Sequence, residues 1–414
     1  MGVEMPLFAA DVARLPEPDV QLAAFSGIVF PFALLIEAPI IMLLAASTAL
    51  VGDQTTWRRL GRFVHLAGFL LTAVHVVVAF TPIFDWLARD VVGVPEDVVE
   101  PARIGLRILT PWTWGIAYRR FQQGVLIRFE HSRAVVVGTV VRLVANLSVL
   151  AVGLSIGGVP GIVVGTAGIA CGVVAEALFA RYCVERWCRD ALRDAPPPRE
   201  AFRWGAFARF YVPLALTPLM TLIVQPLGAA AMLRMPDAMD SLAAWSSVYG
   251  LVFITRSAGF AFNEVVVALV QRPAGLVVLR RFAWLLAGAA TAVLVLLALT
   301  PLGELWFGRL SGLPGELPTF SAQALVVALL MPAIAVVQSL YQGALVRAGM
   351  TRAVTEAVAL YLVLSVALLA VGVERSTAPG IVTVLAVFTA SGLVQTLWLG
   401  RRSRGGRVAI DQAA

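Results

Sequence analysis

The sequence predicts an all-α polytopic membrane protein made of two parallel six-helix lobes, of which about 11 spans are present in this chain. The composition, the recurrence of long apolar segments and an internal repeat support this prediction. Of the 414 residues, 59% are hydrophobic and only 14% are charged. Because an average soluble domain carries about 25% charged residues, this chain has too few charges to cover a water-facing surface. A soluble enzyme, a disulfide-rich secreted domain and a disordered protein are therefore excluded.

Apolar segments long enough to cross a membrane recur along the whole chain. A transmembrane helix needs about 20 apolar residues to cross a hydrocarbon layer of about 30 Å. The segments that meet this requirement are 19–51, 62–87, 104–127, 133–156, 159–181, 205–232, 241–270, 279–300, 319–345, 353–373 and 378–399. We expect each of them to cross the membrane once. Prolines inside them are tolerated where neighbouring helices satisfy the freed backbone groups.

The distribution of arginine predicts the orientation of the chain. Every basic residue in the sequence is arginine, and most of them lie in alternate loops. The arginine-rich segments are 52–62, 119–133, 181–203, 271–281, 346–352 and the tail after 400. By the positive-inside rule these segments are cytoplasmic. The net charge of +7 is thereby explained by membrane topology, so no nucleic-acid partner is expected.

The same pattern divides the chain into four regions. The longest interruption between spans is arginine-rich, amphipathic and contains a run of three prolines. We interpret it as a cytoplasmic linker near the lipid headgroups. The expected regions are an N-terminal lobe at 1–181, a linker at 182–203, a C-terminal lobe at 204–400 and a cytoplasmic tail at 401–414.

An internal repeat relates the two lobes. Residues 6–25 align with residues 226–245 at an offset of 220, and residues 119–135 align with residues 338–354 at an offset of 219. Both copies of the second block lie on the arginine-rich side, which indicates parallel rather than inverted repeats. The second lobe has six predicted spans and the first has five. We therefore expect the intact architecture to be six plus six, with most of the first helix missing from the sequence as given.

These features resemble one superfamily of transporters. The basic central linker, the Arg-x-Pro…Leu-Ala-Ala entry into the second span of each half and the segments QQGVLIRFEHSRAV and YQGALVRAGMTRAV are similar to the multidrug and toxin extrusion/oligosaccharidyl-lipid flippase (MATE-like, MOP) superfamily. The strings IEAPIIMLL and IVQPL…LRMPDAM look most like its progressive-ankylosis-type members. The resemblance implies two six-helix lobes around a cavity that opens alternately to each side of the membrane.

The resemblance also implies a range of substrates. Relatives export organic cations or flip lipid-linked sugars, coupled to H+ or Na+ gradients, and progressive-ankylosis relatives are associated with export of small anions. Many relatives carry a carboxylate in their first helix, and that helix has no counterpart in this sequence. Coupling to H+ or Na+ is therefore left open, and no other cofactor is expected.

Two charged residues lie in the middle of apolar spans. Glu37 lies in the segment FPFALLIEAPIIMLL and Arg256 in VFITRSAGFAF, and they are 219 residues apart, which is the repeat offset. A charge at the centre of a membrane costs about 2.5–3.5 kcal/mol on insertion scales, so such residues usually face a cavity or a partner. One hypothesis is that Glu37 and Arg256 face each other across a substrate cavity. The alternative is that each stabilises helix packing within its own lobe.

Other polar residues in the spans are weaker candidates for substrate or ion binding: Glu264, Asn263, Arg142, Asn146 and Gln225. Glu264 could instead be an interfacial residue whose carboxylate reaches the headgroups. Arg142 and Asn146 share one helix face, but Arg142 could equally pair with Glu176 of the next span.

The second repeat block contributes a set of matched residues at the cytoplasmic turns. These are Gln123, Arg128, Arg133, Gln342, Arg347 and Arg352. Their symmetric positions favour a gate or a lipid-headgroup anchor over a substrate ligand. The three histidines and three cysteines have no metal-ligand spacing, and no catalytic set is present, so neither a metal nor an enzymatic activity is expected.

The sequence thus predicts a secondary-active exporter or flippase. A small or amphiphilic anion is favoured by the four arginines that lie within spans, which are Arg107, Arg142, Arg209 and Arg256. The alternatives are a cation-coupled drug antiporter, a lipid-linked oligosaccharide flippase, a non-transporting remnant and an intramembrane lipid-modifying enzyme. The expected setting is a bacterial inner membrane with a cytoplasmic C-terminus. The expected partners are membrane lipids and a small-molecule substrate, and we expect a monomer.

Overall fold

The computed structural model describes residues 18–92, 95–196, 202–272, 274–311, 313 and 315–411, which fold almost entirely into helices. The chain divides into two compact units, a first unit that ends at Trp204 and a second unit that begins at Gly205. Ten helical segments of the described residues, some of them formed by consecutive helices, are long and apolar enough to cross a membrane. The prediction of an all-α polytopic membrane protein is confirmed.

The first unit contains nine α-helices of at least six residues among those described. They are α1 (Pro18–Ala24), α2 (Phe30–Glu37), α3 (Leu43–Leu50), α4 (Gln54–Phe80), α5 (Glu96–Ile108), α6 (Thr110–Arg128), α7 (Ser132–Ile156), α8 (Gly161–Cys183) and α9 (Arg189–Asp194). The predicted span 19–51 is therefore three short helices. The break after Glu37 is explained by Pro39 in the 3-10 turn Ala38–Ile40, because proline has no N–H to continue an α-helix.

The second unit contains seven α-helices of at least six residues among its described residues. They are α10 (Trp204–Met232), α11 (Ala238–Leu269), α12 (Gly275–Leu299), α13 (Leu317–Val327), α14 (Met331–Arg347), α15 (Thr351–Arg375) and α16 (Gly380–Asp411). The predicted span 319–345 is divided between α13 and α14, just as the predicted span 104–127 is divided between α5 and α6. In each case a proline, Pro332 or Pro111, lies in the first turn of the second helix, where its missing N–H costs nothing.

Helix α6 corrects part of the predicted topology. The arginine count assigned Arg119 and Arg120 to a cytoplasmic loop, but α6 continues to Arg128 and both residues lie inside it. The loop contains only Phe129–His131. The predicted span 104–127 already included these two arginines, so the helix was predicted and only their assignment to a loop was wrong. The polar side chains of α6 keep it out of the ten long apolar segments.

The predicted linker is partly helical. Helix α8 is followed by a π-helical turn at Val184–Cys188 and then by α9. Residues 197–201, which include two of the three consecutive prolines, lie outside the described residues. The first copy of the Arg-x-Pro block, with Arg14 and Pro16, also lies outside them.

The internal repeat is visible as the same close helix contact in both units. A Cβ atom added to Gly124 of α6 would lie 1.8 Å from Ser47 Oγ and 2.7 Å from the Leu44 carbonyl oxygen of α3. A Cβ added to Gly343 of α14 would lie 2.7 Å from Val266 Cβ and 2.9 Å from the Asn263 carbonyl oxygen of α11. All three positions in the first contact differ from those in the second by 219 residues. Glycine is required at both because the helix backbones approach closely.

A second matched contact stabilises the start of one long helix in each unit. Gln21 Oε1 accepts a hydrogen bond from the Ile162 backbone N–H at 3.2 Å. Ser241 Oγ accepts one from the Ile381 backbone N–H at 3.1 Å. The first N–H groups of a helix have no partner inside the helix, so each side chain satisfies a donor that would otherwise be buried without one. The offsets of 219 and 220 are those of the sequence repeat.

We predict that Gly124→Ala lowers the free energy of unfolding by about 1–3 kcal/mol, the usual cost of overpacking. Gly288→Ala is the matched control, since Gly288 is helical and exposed and nothing lies within 4 Å of its added Cβ. The control should be neutral or more stable by up to about 1 kcal/mol because alanine favours helix. Tryptophan fluorescence during thermal unfolding in detergent measures both. Equal melting temperatures for the two variants would contradict the prediction.

Candidate functional site

Glu37 is the last residue of α2 and is 1% exposed. Its Oε2 atom has no hydrogen-bond partner among the described residues. The guanidinium groups of Arg119 and Arg120 on α6 lie close enough to act on the charge of Glu37. A buried carboxylate with an unsatisfied oxygen is costly unless a ligand, a proton or a cation compensates it. This placement keeps Glu37 a candidate for binding.

The best-defined polar cluster of the first unit surrounds Glu176 of α8. Arg119 Nη1 donates a hydrogen bond to Glu176 Oε2 at 2.6 Å, and Gln123 Nε2 donates one to Glu176 Oε1 at 2.8 Å. Arg142 Nε of α7 lies 3.3 Å from Glu176 Oε2. All four side chains are buried. We call these four residues the Glu176 cluster.

The cluster answers one question that the sequence left open. Arg142 forms an ion pair with Glu176 rather than standing alone on a polar stripe. Asn146, one turn along α7, packs against α8, where a Cβ added to Gly168 would lie 2.6 Å from Asn146 Oδ1. Both candidates therefore take part in the contact between α7 and α8.

The same place in the second unit is uncharged. Gln338 Nε2 donates hydrogen bonds to Gln395 Oε1 at 2.9 Å and to the Gly392 carbonyl oxygen at 3.0 Å. Gln338 and Gln395 lie 219 residues after Arg119 and Glu176. A neutral amide pair thus replaces a buried ion pair. The sequence analysis did not identify Arg119 as a site residue, although the repeat offset of 219 aligns it with Gln338.

Arg256 lies in the interior of α11 and is half-buried. Its guanidinium carbon lies 5.4 Å from the centroid of the Phe260 ring, a cation–π distance. Its Nε atom has no hydrogen-bond partner among the described residues. Tyr361 of α15, the repeat counterpart of Arg142, lies within its electrostatic reach. Arg256 is therefore held by an aromatic ring, with no carboxylate bound to it in the described part of the chain.

The other predicted ligands of the second unit lie at separate places. Asn263 is buried on α11, and its Nδ2 donates a long hydrogen bond of 3.4 Å to the neighbouring Glu264 Oε1. The backbone of Asn263 also forms the contact with Gly343 described above. Gln225 is half-buried in α10, directly before Pro226. The roles of these three residues in binding a substrate or an ion remain predictions.

The matched residues of the cytoplasmic turns have unlike surroundings. Arg128 and Arg347 lie in the last turns of α6 and α14, where a cation stabilises the helix dipole. Arg347 Nε also donates to Gln271 Oε1 at 2.6 Å. Arg133 and Arg352 are the second residues of α7 and α15, and both are exposed. Gln342 is half-buried, whereas its counterpart Gln123 belongs to the Glu176 cluster. The gate or headgroup role of this set remains a prediction.

The described residues contain no group of three or more histidine, cysteine, aspartate or glutamate side chains able to hold a metal ion. The candidate residues bring cations and carboxylates together in apolar surroundings, where they can bind, release or exchange charged groups.

We predict that Glu176→Gln lowers the free energy of unfolding by about 3–5 kcal/mol, because it leaves Arg119 and Arg142 buried without their carboxylate. The double variant Arg119→Gln/Glu176→Gln reproduces the Gln338–Gln395 pair and should recover part of that loss. Denaturant unfolding in detergent micelles measures this cycle.

Glu356→Gln is the matched control, since its ion pair with Arg402 is exposed; exposed pairs contribute about 0–1 kcal/mol. If the double variant lost as much stability as the two single variants added together, the two positions would be uncoupled and the ion pair would have no role.

The fold was compared with known proteins. No family model matches the sequence, and no curated protein matches it. Solved structures do match over nearly the whole chain. An outward-facing multidrug resistance MATE family transporter of the MOP superfamily superposes with a TM-score of 0.73 and 18% identity, covering 99% of this chain and 92% of that chain.

Two further structures give the same result. A MOP superfamily transporter from Pyrococcus furiosus has a TM-score of 0.68 and 18% identity, covering 98% of this chain and 93% of that chain. A MATE transporter from Vibrio cholerae has a TM-score of 0.70 and 15% identity, covering 100% of this chain and 92% of that chain. The narrower resemblance to progressive-ankylosis-type proteins has no specific support here and remains a prediction. At these identities the likeness is one of fold, and this chain has the fold of the MATE transporters of the MOP superfamily.

Proposed function

We propose that this protein is a secondary-active membrane transporter, an exporter or a flippase, that works by alternating access between two homologous lobes. Its substrate is a small or amphiphilic anion. Support for the transporter class comes from the fold, since the matching structures are transporters. The fold does not decide the charge of the substrate: the Pyrococcus furiosus protein is described as having a binding pocket of reversed polarity that suggests a different function.

The preference for an anion is carried by Arg256. Four arginines were predicted to lie inside spans. In the structure, one of them is in an ion pair, one donates to a backbone carbonyl oxygen and one is exposed. Arg142 is paired with Glu176, Arg107 Nε donates to the Ala79 carbonyl oxygen at 3.1 Å, and Arg209 is exposed near the start of α10. Arg107 also lies over an aromatic ring, 5.1 Å from the centroid of Phe80, but it is in the last turn of its helix. Among these four, Arg256 is the one that lies against an aromatic ring in the interior of its helix. A cation kept at this place, at an insertion cost of about 2.5–3.5 kcal/mol, supports the binding of an anionic group.

The second candidate function is a cation-coupled antiporter of drugs or organic cations, favoured by the buried Glu37 with its unsatisfied Oε2. The surroundings of Glu37 weaken this candidate. Arg119 and Arg120 both act on Glu37, and their positive fields would oppose a second cation there. Glu37 fits better as a group that accepts or releases a proton during transport, so we retain H+ coupling, with Na+ as its alternative.

The remaining parts of the proposal follow from the sequence. The arginine-rich loops support a cytoplasmic C-terminus, and the proposed setting is a bacterial inner membrane. The protein acts as a monomer surrounded by lipid, with residues 182–203 as a cytoplasmic linker. A flippase of lipid-linked oligosaccharides would use the same lobes for a larger amphiphilic anion.

We predict that Arg256→Gln lowers export of the anion about 10- to 100-fold, because a hydrogen bond to a charged group contributes about 1.5–3 kcal/mol. Cells overexpressing the unmodified chain, Arg256→Gln, or the control Arg375→Gln at the exposed end of α15 would be compared by metabolite profiling of medium and lipid fractions. An anion that accumulates in the medium with the unmodified chain and the control, but not with Arg256→Gln, supports the proposal.

Two outcomes would replace it. An unchanged medium with an altered lipid-linked pool would identify a flippase. Export of an organic cation that is lost in Glu37→Gln and retained in Arg256→Gln would identify the antiporter and remove Arg256 from the substrate path.

A further inference from the structure

A cavity of about 450 Å3 lies within the second unit, where three helix ends meet. It is lined by the first turns of α10 and α15, the turn before α15 and the C-terminal part of α16. The lining residues used below are Arg209, Phe210, Met350, Arg352, Glu356 and Arg402. Its volume is within the range of about 300–1,000 Å3 that is typical of small-molecule sites. Nothing in the proposed transport mechanism uses this cavity.

The cavity carries an excess of positive charge. Its lining includes three arginines and one glutamate. Arg402 Nη2 donates to Glu356 Oε2 at 2.5 Å, so the one carboxylate is already paired. Arg209 and Arg352 form no ion pair with a carboxylate among the described residues. Two guanidinium groups are therefore available to a ligand, and guanidinium is the side chain best suited to bidentate binding of phosphate.

The start of α15 adds a second source of positive potential. Gly349 has a φ of 73°, a conformation that favours glycine, and it turns the chain into the helix. The N-cap residue Met350 makes no side-chain hydrogen bond to the helix. The N–H groups and the dipole of a helix N-terminus attract anions. Here they act at the same cavity as the arginines, so both features favour the same sign of ligand.

One side of the cavity is apolar. Phe210 is buried, Met350 is half-buried, and Ala206 and Ala353 complete this side. A cationic rim beside an apolar wall fits an amphiphilic anion better than a bare ion. By the positive-inside rule these helix ends lie at the cytoplasmic surface, the level at which basic pockets bind anionic lipid headgroups. We propose that the cavity binds the phosphate group of an anionic phospholipid.

The first unit does not repeat this site. The residues 219 positions before Gly349, Arg352, Glu356 and Arg402 are Glu130, Arg133, Val137 and Cys183. Of the two lining arginines whose counterparts fall within the sequence, Arg352 has a basic counterpart and Arg402 does not, and a glutamate replaces the glycine of the turn. The cluster is therefore a property of the second unit and does not follow from the helical framework that the two units share.

Native mass spectrometry of the full chain, delipidated in a non-ionic detergent, tests this site. The ligands are phosphatidylglycerol, phosphatidylethanolamine with the same acyl chains, glycerol 3-phosphate and inorganic phosphate. Phosphatidylglycerol should bind at least tenfold more tightly than the zwitterionic lipid. The two soluble ligands show whether the acyl chains contribute to the binding.

Variants of the lining should change the binding in opposite directions. Arg209→Gln/Arg352→Gln should weaken phosphatidylglycerol binding at least tenfold, whereas Glu356→Gln frees Arg402 and should strengthen it about threefold. Arg401→Gln removes an exposed arginine that does not line the cavity and should change binding less than twofold. If the double variant fails to fold, the effect of Glu356→Gln still decides the outcome.

Tight binding of a soluble phosphate that is lost in the double variant would support the phosphate site and identify a soluble anion as its source. Equal binding of the two lipids, or a response to Arg401→Gln as large as that to the double variant, would overturn the proposal. Because the readout is binding rather than transport, its failure would leave the proposed transport function untouched.

Discussion

The ion pairs of the Glu176 carboxylate are the interaction on which the interior of the first unit depends. Glu176 lies on α8, Arg119 and Gln123 on α6, and Arg142 on α7. A carboxylate taken out of water costs several kcal/mol unless cations and hydrogen bonds satisfy both of its oxygens. Here both oxygens have partners, and the partners come from two other helices. The position of each helix is therefore constrained, because moving it would leave a buried charge without its partner at a large cost in free energy.

The small residues of α8 make this arrangement possible. A Cβ added to Gly172 would lie 2.9 Å from the Arg142 carbonyl oxygen, and one added to Gly168 would lie 2.6 Å from Asn146 Oδ1. Larger residues at these two positions would separate α7 from α8 and move Arg142 away from Glu176. Close packing and charge pairing thus depend on each other, as is common where helices associate in lipid through small residues.

The two units keep the packing of the repeat and change its charges. The glycine contacts and the helix-start hydrogen bonds occur in both units at the repeat offset. At the positions of Arg119 and Glu176 the second unit instead has Gln338 and Gln395, and Arg256 takes the place of Glu37. Helix contacts tolerate little change in volume, whereas polar groups can be exchanged if their hydrogen bonds are satisfied. In a transporter of this fold, such differences in charge between two similar helical units can determine substrate selectivity.

Much of the fold could be predicted from the sequence. Length, hydropathy and arginine placement are local properties of a segment, so they identified the all-helical membrane class and most of the spans. The repeat offset of 219 is equally a property of the sequence, and contacts that the two units share occur at this offset. Broken spans were harder to recognise, because a proline such as Pro39 ends a helix in one context and is tolerated in another.

The candidate site depended far more on tertiary structure. Arg119 was counted with an arginine-rich loop although the predicted span 104–127 includes it, because arginines near the end of a span are typical of its cytoplasmic side. The partner of Arg142 was left open between two possibilities. The charged cavity of the second unit combines residues from both ends of its sequence, from Arg209 to Arg402. Hydropathy and spacing report which residues share a helix. Which buried charges meet is decided only when the helices pack, because partners such as Arg119 and Glu176 are 57 residues apart in the chain and are brought together by helix packing alone.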